Sequence, residues 1–180
     1  MKIVVKFGGS SLASAEQFKK VADIIHADPH RRFVVPSAPG KRFDGDTKVT
    51  DMLYKCYELA SESENFDEYF QMIKDRYNNI IADLGLKDFS LDEDFEIIKG
   101  AFAHMAGRDY AASRGEYLNS KVLAKYLGFD FIDAGKYIFF DDQGNFDWTK
   151  TEAKLAPKLA KTNKAVIPGF YGSMPNGTIK

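Results

Sequence analysis

Cysteine is almost absent from this chain of 180 residues: Cys56 stands alone, so no intrachain disulfide framework is available and a reducing cytoplasm is the expected compartment. Long hydrophobic runs are missing too, since none approaches the ~20 residues that a membrane helix needs. The apolar run at the N-terminus is broken by Lys6 and no small-residue cleavage site follows it, so a secretory leader is not expected. Charge of one sign is lacking: 25 basic against 26 acidic side chains leave a net −1. That balance argues against a broad nucleic-acid surface and leaves room only for a local site that takes a small anion. Histidine is scarce. His26, His30 and His104 are scattered and form no metal-ligand spacing, and no metal-binding residue is expected. Gly-x4-Gly-Lys-Ser/Thr and His-Glu-x-x-His do not occur, which excludes a P-loop protein and a zincin. Cys56 lies on an apolar helical face and reads as a buried, inert thiol.

What is present begins at Lys2. The run Lys2 to Phe7 is rich in β-branched residues and short enough for a buried strand. It delivers Lys6, Gly8, Gly9, Ser10 and Ser11, a cation, two adjacent glycines and two hydroxyls ahead of a helix. Glycines that allow φ > 0, bare amides and a helix N-terminus suit a phosphate. A lone Lys-x-Gly-Gly is also compatible with an ordinary strand-to-helix turn.

Downstream, strands and helices alternate. Ser14-Ala15-Glu16-Gln17 is a capping-box pattern that starts a helix running to about Ala27. Residues 32–35 form a second strand ending in Pro36-Ser37-Ala38-Pro39-Gly40, where Pro36 implies a strand end or bulge. Lys41 to Lys48 is expected to be exposed and mobile. Val49, Met52, Leu53 and Cys56 make one helical stripe, with Thr50 and Asp51 off it near the helix start. Phe66 to Leu84 and Leu91 to Ala103 are further helices, their aromatics core rather than a base-stacking platform. Residues 107–127 are helical with an interruption at Ser113-Arg114-Gly115-Glu116. Residues 129–133 and 137–140 read as extended, 149–161 as helix, 164–169 as a buried strand, and Pro175-Asn176-Gly177-Thr178 as a hairpin turn. This order implies a single unit with a parallel or mixed sheet between helices, and ligands at the carboxyl ends of the strands.

Five segments, Lys6-Phe7-Gly8-Gly9-Ser10-Ser11, Ser37-Ala38-Pro39-Gly40, Lys48-Val49-Thr50-Asp51, Ser113-Arg114-Gly115-Glu116 and Pro168-Gly169-Phe170-Tyr171-Gly172, occur in the order found in aspartate kinases of the amino acid kinase superfamily. The resemblance covers essentially the whole chain. It implies a three-layer α/β/α sandwich with a mainly parallel central sheet, incomplete at its C-terminal side. The implied reaction is transfer of the γ-phosphoryl group of Mg-ATP to the side-chain carboxylate of L-aspartate, the first step toward lysine, threonine and methionine. ATP and Mg2+ are the implied cofactors. The full-length protein is expected to be a homo-oligomer. On this resemblance Lys6 is the catalytic cation, Gly8, Gly9 and Ser10 cradle the phosphate, Ser37, Ala38 and Gly40 form a second loop beside it, and Thr50 and Glu116 hold aspartate.

Such a reaction needs no general base, because a carboxylate acceptor is ionised at pH 7. Its difficulty is the repulsion of two anions, roughly 4 kcal/mol per unit-charge pair near 4 Å in a partly screened site. A lysine and several aimed amides can offset that. The family's Gly-Arg-Gly-Gly-Ser-Asp segment, nucleotide-binding half and regulatory domains are not among the 180 residues, so residues 1–180 are expected to be an acceptor-binding portion with little turnover alone. An acetylglutamate or glutamate kinase would share Lys-x-Gly-Gly but lack the Lys-Val-Thr-Asp and Ser-x-Gly-Glu pair. A noncatalytic amino-acid-binding module is the alternative from another class.

Overall fold

The carboxyl ends of two neighbouring strands set the architecture. In a computed structural model describing residues 1–180, β1 (Ile3–Phe7) pairs in parallel with β2 (Arg31–Pro36), with Phe7 opposite Pro36. Two shorter strands, β3 (Asp130–Phe131) and β4 (Ala165–Val166), complete an all-parallel sheet in the order β1-β2-β4-β3. The helices are α1 (Ala15–His26), α2 (Val49–Ser61), α3 (Asp67–Asp83), α4 (Asp92–Ala103), α5 (Arg108–Leu127), α6 (Ala134–Tyr137) and α7 (Trp148–Ala160). No helix is long and apolar enough to cross a membrane.

Strand alternation sorts the layers. Val34 and Val166 enter the larger core with Phe18, Ile73, Phe95 and Leu123 of the first five helices. Their neighbours Phe33, Ala165 and Ile167 enter a smaller core on the opposite face, where Leu159 of α7 packs. Helices therefore cover both faces of a parallel sheet, as the alternating pattern requires. The cover is uneven: Val4 points to the second face and is 65% exposed.

Most expected elements form. Ser14 caps α1 by accepting from the Gln17 amide. Pro36 is the last residue of β2, where its missing N–H interrupts nothing, and the Ser37 amide donates to the Phe7 carbonyl at 3.0 Å. The tail turns at Gly177, φ +85°, and Ser173 and Ile179 pair antiparallel. The core assignment of the aromatics holds, with Phe66, Phe70 and Tyr77 buried. Cys56 is buried and burial pushes its thiol up to about 12.

Four expectations need correction. Residues 113–116 do not interrupt a helix: α5 runs unbroken for 20 residues. Ser113, Arg114, Gly115 and Glu116 are all buried because α5 is enclosed by its neighbours, so an amphipathic stripe was the wrong template there. The segment 41–48 is not simply exposed, since the Asp46 side chain is 7% exposed and paired with Arg42 and Arg76. Residues 137–140 are not a strand but the end of α6 followed by isolated bridges at Phe139 and Phe140. The strands at 129–133 and 164–169 shrink to two residues each.

Gly115 is where α5 meets the loop after β2. A Cβ there would lie 2.7 Å from Ala38 Cβ, closer than real carbon atoms approach, and 3.4 Å from Leu53 Cδ1, at the edge of ordinary contact. Alanine gains up to about 1 kcal/mol over glycine in a helix, whereas overpacking a filled core costs about 1–3 kcal/mol. Gly115→Ala is therefore expected to lower stability by about 1–2 kcal/mol, read from urea midpoints; a stabilised variant would show that α5 can retreat from Ala38.

Candidate active site

Two glycine loops lie back to back at the carboxyl end of β1 and β2. Gly8 leads into a 3-10 turn, Gly9–Leu12, and the Gly40 amide donates to the Gly9 carbonyl at 2.8 Å. Neither glycine at positions 8 and 9 uses the positive φ expected of them; Gly8 has φ −79°. What Gly9 and Gly40 contribute is the lack of a side chain. A Cβ on Gly9 would sit 2.9 Å from the Ala38 carbonyl oxygen, and one on Gly40 would sit 2.7 Å from the Gly9 carbonyl carbon. Main chain meets main chain there, and only hydrogen fits. The helix dipole expected behind the cradle is also weaker than thought, because a four-residue 3-10 turn follows Gly8 and α1 begins only at Ala15.

These loops wall a cavity of about 440 Å³ into which Ser10, Thr50 and Glu116 also open. Thr50 comes from the first turn of α2, off its apolar stripe. Glu116 comes from the middle of α5 rather than a helix N-terminus, and is 8% exposed. Burial pushes its carboxyl up to about 7, while its own and the Ala38 backbone N–H groups and the Arg114 guanidinium offset only part of that. Lys41 and Lys48, which the motifs did not single out, line the same cavity.

Of the residues expected at the site, Gly9, Ser10, Ser37, Ala38, Gly40, Thr50 and Glu116 are brought together around this cavity. Lys6 and Gly8 are not part of its wall. Lys6 Nζ lies over the Phe170 ring, 4.0 Å from its centroid. Phe170, with φ +69°, lines an adjoining cavity of about 330 Å³ that again includes Thr50 and Glu116. The ammonium is thus tied to the adjoining cavity through one aromatic ring.

Several supporting residues escaped the motif reading. Asn119 Nδ2 donates to the Ser37 carbonyl at 2.7 Å, fixing the second loop from α5. The Tyr77 hydroxyl donates to the Gly115 carbonyl at 2.8 Å, locking α3 to the turn of α5 that carries Glu116. Arg114 is 8% exposed and lies among the rings of Tyr110, Tyr117 and Tyr171, 4.7, 4.3 and 5.4 Å from their centroids. Arg76, buried at 3% exposure, donates to the carbonyls of Ala13, Gly40 and Thr47. A signal for Arg76 existed: it interrupts the apolar spacing of Ile73, Tyr77 and Ile80 with a charge, and a charge at a core position needs buried partners.

Chemically, the cavity brings together amides, cations, a buried carboxylate and a hydroxyl. Such a set of groups suits a phosphate beside a small molecule that carries an ammonium group.

Comparison with known proteins agrees with this arrangement. The chain is 34% identical to aspartokinase 3 of Bacillus subtilis over 98% of its own length and 42% of that protein. It is 32% identical to the chloroplastic aspartokinase 1 of Arabidopsis thaliana over 77% of its own length and 25% of that protein. The crystal structure of the Clostridium acetobutylicum aspartate kinase superposes with a TM-score of 0.95 at 50% identity, covering 100% of this chain and 42% of that one. Aspartokinase III of E. coli, solved with aspartate and ADP, shares the fold at a TM-score of 0.78 and 23% identity, over 100% of this chain and 43% of that one. The chain thus spans about two fifths of the length of most of these relatives. The amino acid kinase family matches residues 1–179, and the chain belongs to that family.

Proposed function

We propose that this chain carries the acceptor side of an aspartate kinase, which transfers the γ-phosphoryl group of ATP to the side-chain carboxylate of L-aspartate. The observation that carries the reading is that the amide-lined glycine loops and the buried Glu116 open into one cavity, in a chain 50% identical to an aspartate kinase. In the reaction an aspartate oxygen bonds to the γ-phosphorus as the bond from that phosphorus to the β–γ bridging oxygen breaks, so no proton need be removed from the acceptor.

Each residue then has a task set by its charge. Gly9 and Ser10 receive the terminal phosphate on main-chain N–H groups, while Gly40, whose own amide is bonded to the Gly9 carbonyl, lets the second loop close against the first. Lys48 and Lys41 lower the cost of bringing a second anion beside it. Glu116 takes the ammonium of aspartate and fixes its carbon chain, while the Thr50 hydroxyl is placed to donate to the acceptor's carboxylate. Lys6, stacked on Phe170 beside the adjoining cavity, adds a further cation for the transferring phosphate. The residues present do not fit a dedicated metal site, because no group of three or more His, Cys, Asp or Glu side chains is clustered. Turnover requires more polypeptide than this, since the chain covers 42% of the aspartate kinase it superposes on.

The buried carboxylate makes the reading testable. Its folded-state value is raised from 4.5 to about 7, so between those values the folded chain holds a proton that the unfolded chain does not. Stability from this group is full below 4.5 and is lost as pH rises through about 7, on the order of 3 kcal/mol. An ammonium bound beside Glu116 favours the ionised form and must expel that proton. Calorimetry with L-aspartate is expected to show close to one proton released at pH 6 and almost none at pH 8.5, with affinity rising about tenfold per pH unit below pH 6. Glu116→Gln should bind aspartate at least ~10-fold more weakly and without proton release. Binding with no pH dependence would sink the assignment of Glu116 to the ammonium.

The phosphate end is tested separately. Gly40→Ala must push the two loops apart, and is expected to weaken inorganic tripolyphosphate binding by about tenfold or more, while leaving aspartate binding within ~3-fold. Equal losses of both ligands would place them at one end of the cavity and refute the division proposed here.

A further inference from the structure

We infer that Arg76 is the positioning residue that holds the two glycine loops and the start of α2 at binding distance from one another. The inference rests on the preceding reading only for what those loops hold.

Three separate segments meet on one planar group. Nη2 of Arg76 donates to the Ala13 carbonyl at 3.0 Å, just after the 3-10 turn of the first loop, and also to the Gly40 carbonyl of the second. Nη1 donates to the Thr47 carbonyl at 3.3 Å, at the approach to Thr50, and lies 3.6 Å from Asp46 Oδ2. Asp46 is itself fixed by Arg42, which reaches both carboxylate oxygens through Nε and Nη2 at 2.8 and 3.0 Å. That pairing holds its carboxyl well below the usual range. Arg76 is thus the common strut of every chain segment that walls the phosphate end.

A side chain kept only to fill space at this position would be apolar. Burying a guanidinium carries a desolvation cost, and the Nε–H of Arg76 is buried with no partner, which adds to it. The compensation is geometric: a rigid fork can bind carbonyls from several directions at once, which a lysine ammonium on a flexible stem cannot. Held from behind by Arg76, the Gly40 carbonyl orients its peptide neighbours so that the Gly40 amide meets the Gly9 carbonyl at 2.8 Å. The same guanidinium, through Thr47, sets where the Val49 amide meets the Pro39 carbonyl at 3.2 Å and hence where Thr50 begins. Arg76 does not line the cavity, so the residue acts through the loops.

Arg76→Lys and Arg76→Gln test it by residue-resolved amide exchange and by tripolyphosphate titration of the 180-residue chain. In both variants the Gly40 and Val49 amides are expected to exchange about tenfold faster or more, while the Ile167 amide, bonded to the Val34 carbonyl inside the sheet, stays within ~3-fold. The Ser10 amide shift induced by tripolyphosphate should then need about tenfold more ligand. Unchanged exchange at Gly40, or equal acceleration at Gly40 and Ile167, overturns the inference. So does failure of both variants to fold, which would make Arg76 a requirement of the whole core rather than of the loops. If the unaltered chain binds no tripolyphosphate, the phosphate reading of the cradle falls, and the exchange rates alone then decide the role of Arg76.

Discussion

The apposition of Gly9 and Gly40 is the constraint from which the rest of the site follows. Two peptide backbones can approach within hydrogen-bond distance only where neither carries a side chain, and both positions here would clash with main-chain atoms if they did. That contact fixes the first loop against the second, and the second loop is in turn fastened to α5 by Asn119 and by the packing of Ala38 on Gly115. Glu116 is the next residue on that helix. The two loops and this carboxylate therefore open into one cavity from neighbouring, mutually packed segments.

The site combines two buried charges that the protein handles in opposite ways. Both terminal nitrogens of Arg76 are paired, with carbonyls and with Asp46, so its charge is retained and holds the main chain. Glu116 is left short of partners, and its ionised form is disfavoured until something cationic arrives. The first arrangement builds a rigid wall and the second an incomplete one. Rigidity at the glycine loops and electrostatic want at Glu116 is what distinguishes this cavity from an ordinary cleft between a sheet and its helices.

Much of this could be read from the residues. Short β-branched runs, the Ser14 cap, the apolar stripe of α2 and the turn at Gly177 all obey local rules, and each formed as expected. Seven of the nine expected site residues, Gly9, Ser10, Ser37, Ala38, Gly40, Thr50 and Glu116, do open into one cavity, because the motifs mark positions where strands and helices end or touch. Other features were hidden for physical reasons. Periodicity cannot describe α5, which has neighbours on nearly every side and so lacks a polar face. The direction of Lys6 was not legible either, since it depends on Phe170 taking a backbone conformation that its own residue type disfavours. Arg76, Tyr77 and Asn119 act on carbonyls distant in sequence, and no local pattern encodes a long-range acceptor.

The burial of α5 on almost all sides has a practical meaning for anyone who would reshape this cavity for a chosen ligand. Twelve of its residues are enclosed, so a library that varies this helix by itself will mostly sample chains that no longer pack. Position 115, where an added Cβ would meet Ala38, Leu53 and Val49, takes a larger residue only if those neighbours are varied in the same clones. The productive unit of diversification is the helix pair, with Leu53 and Val49 randomised alongside it.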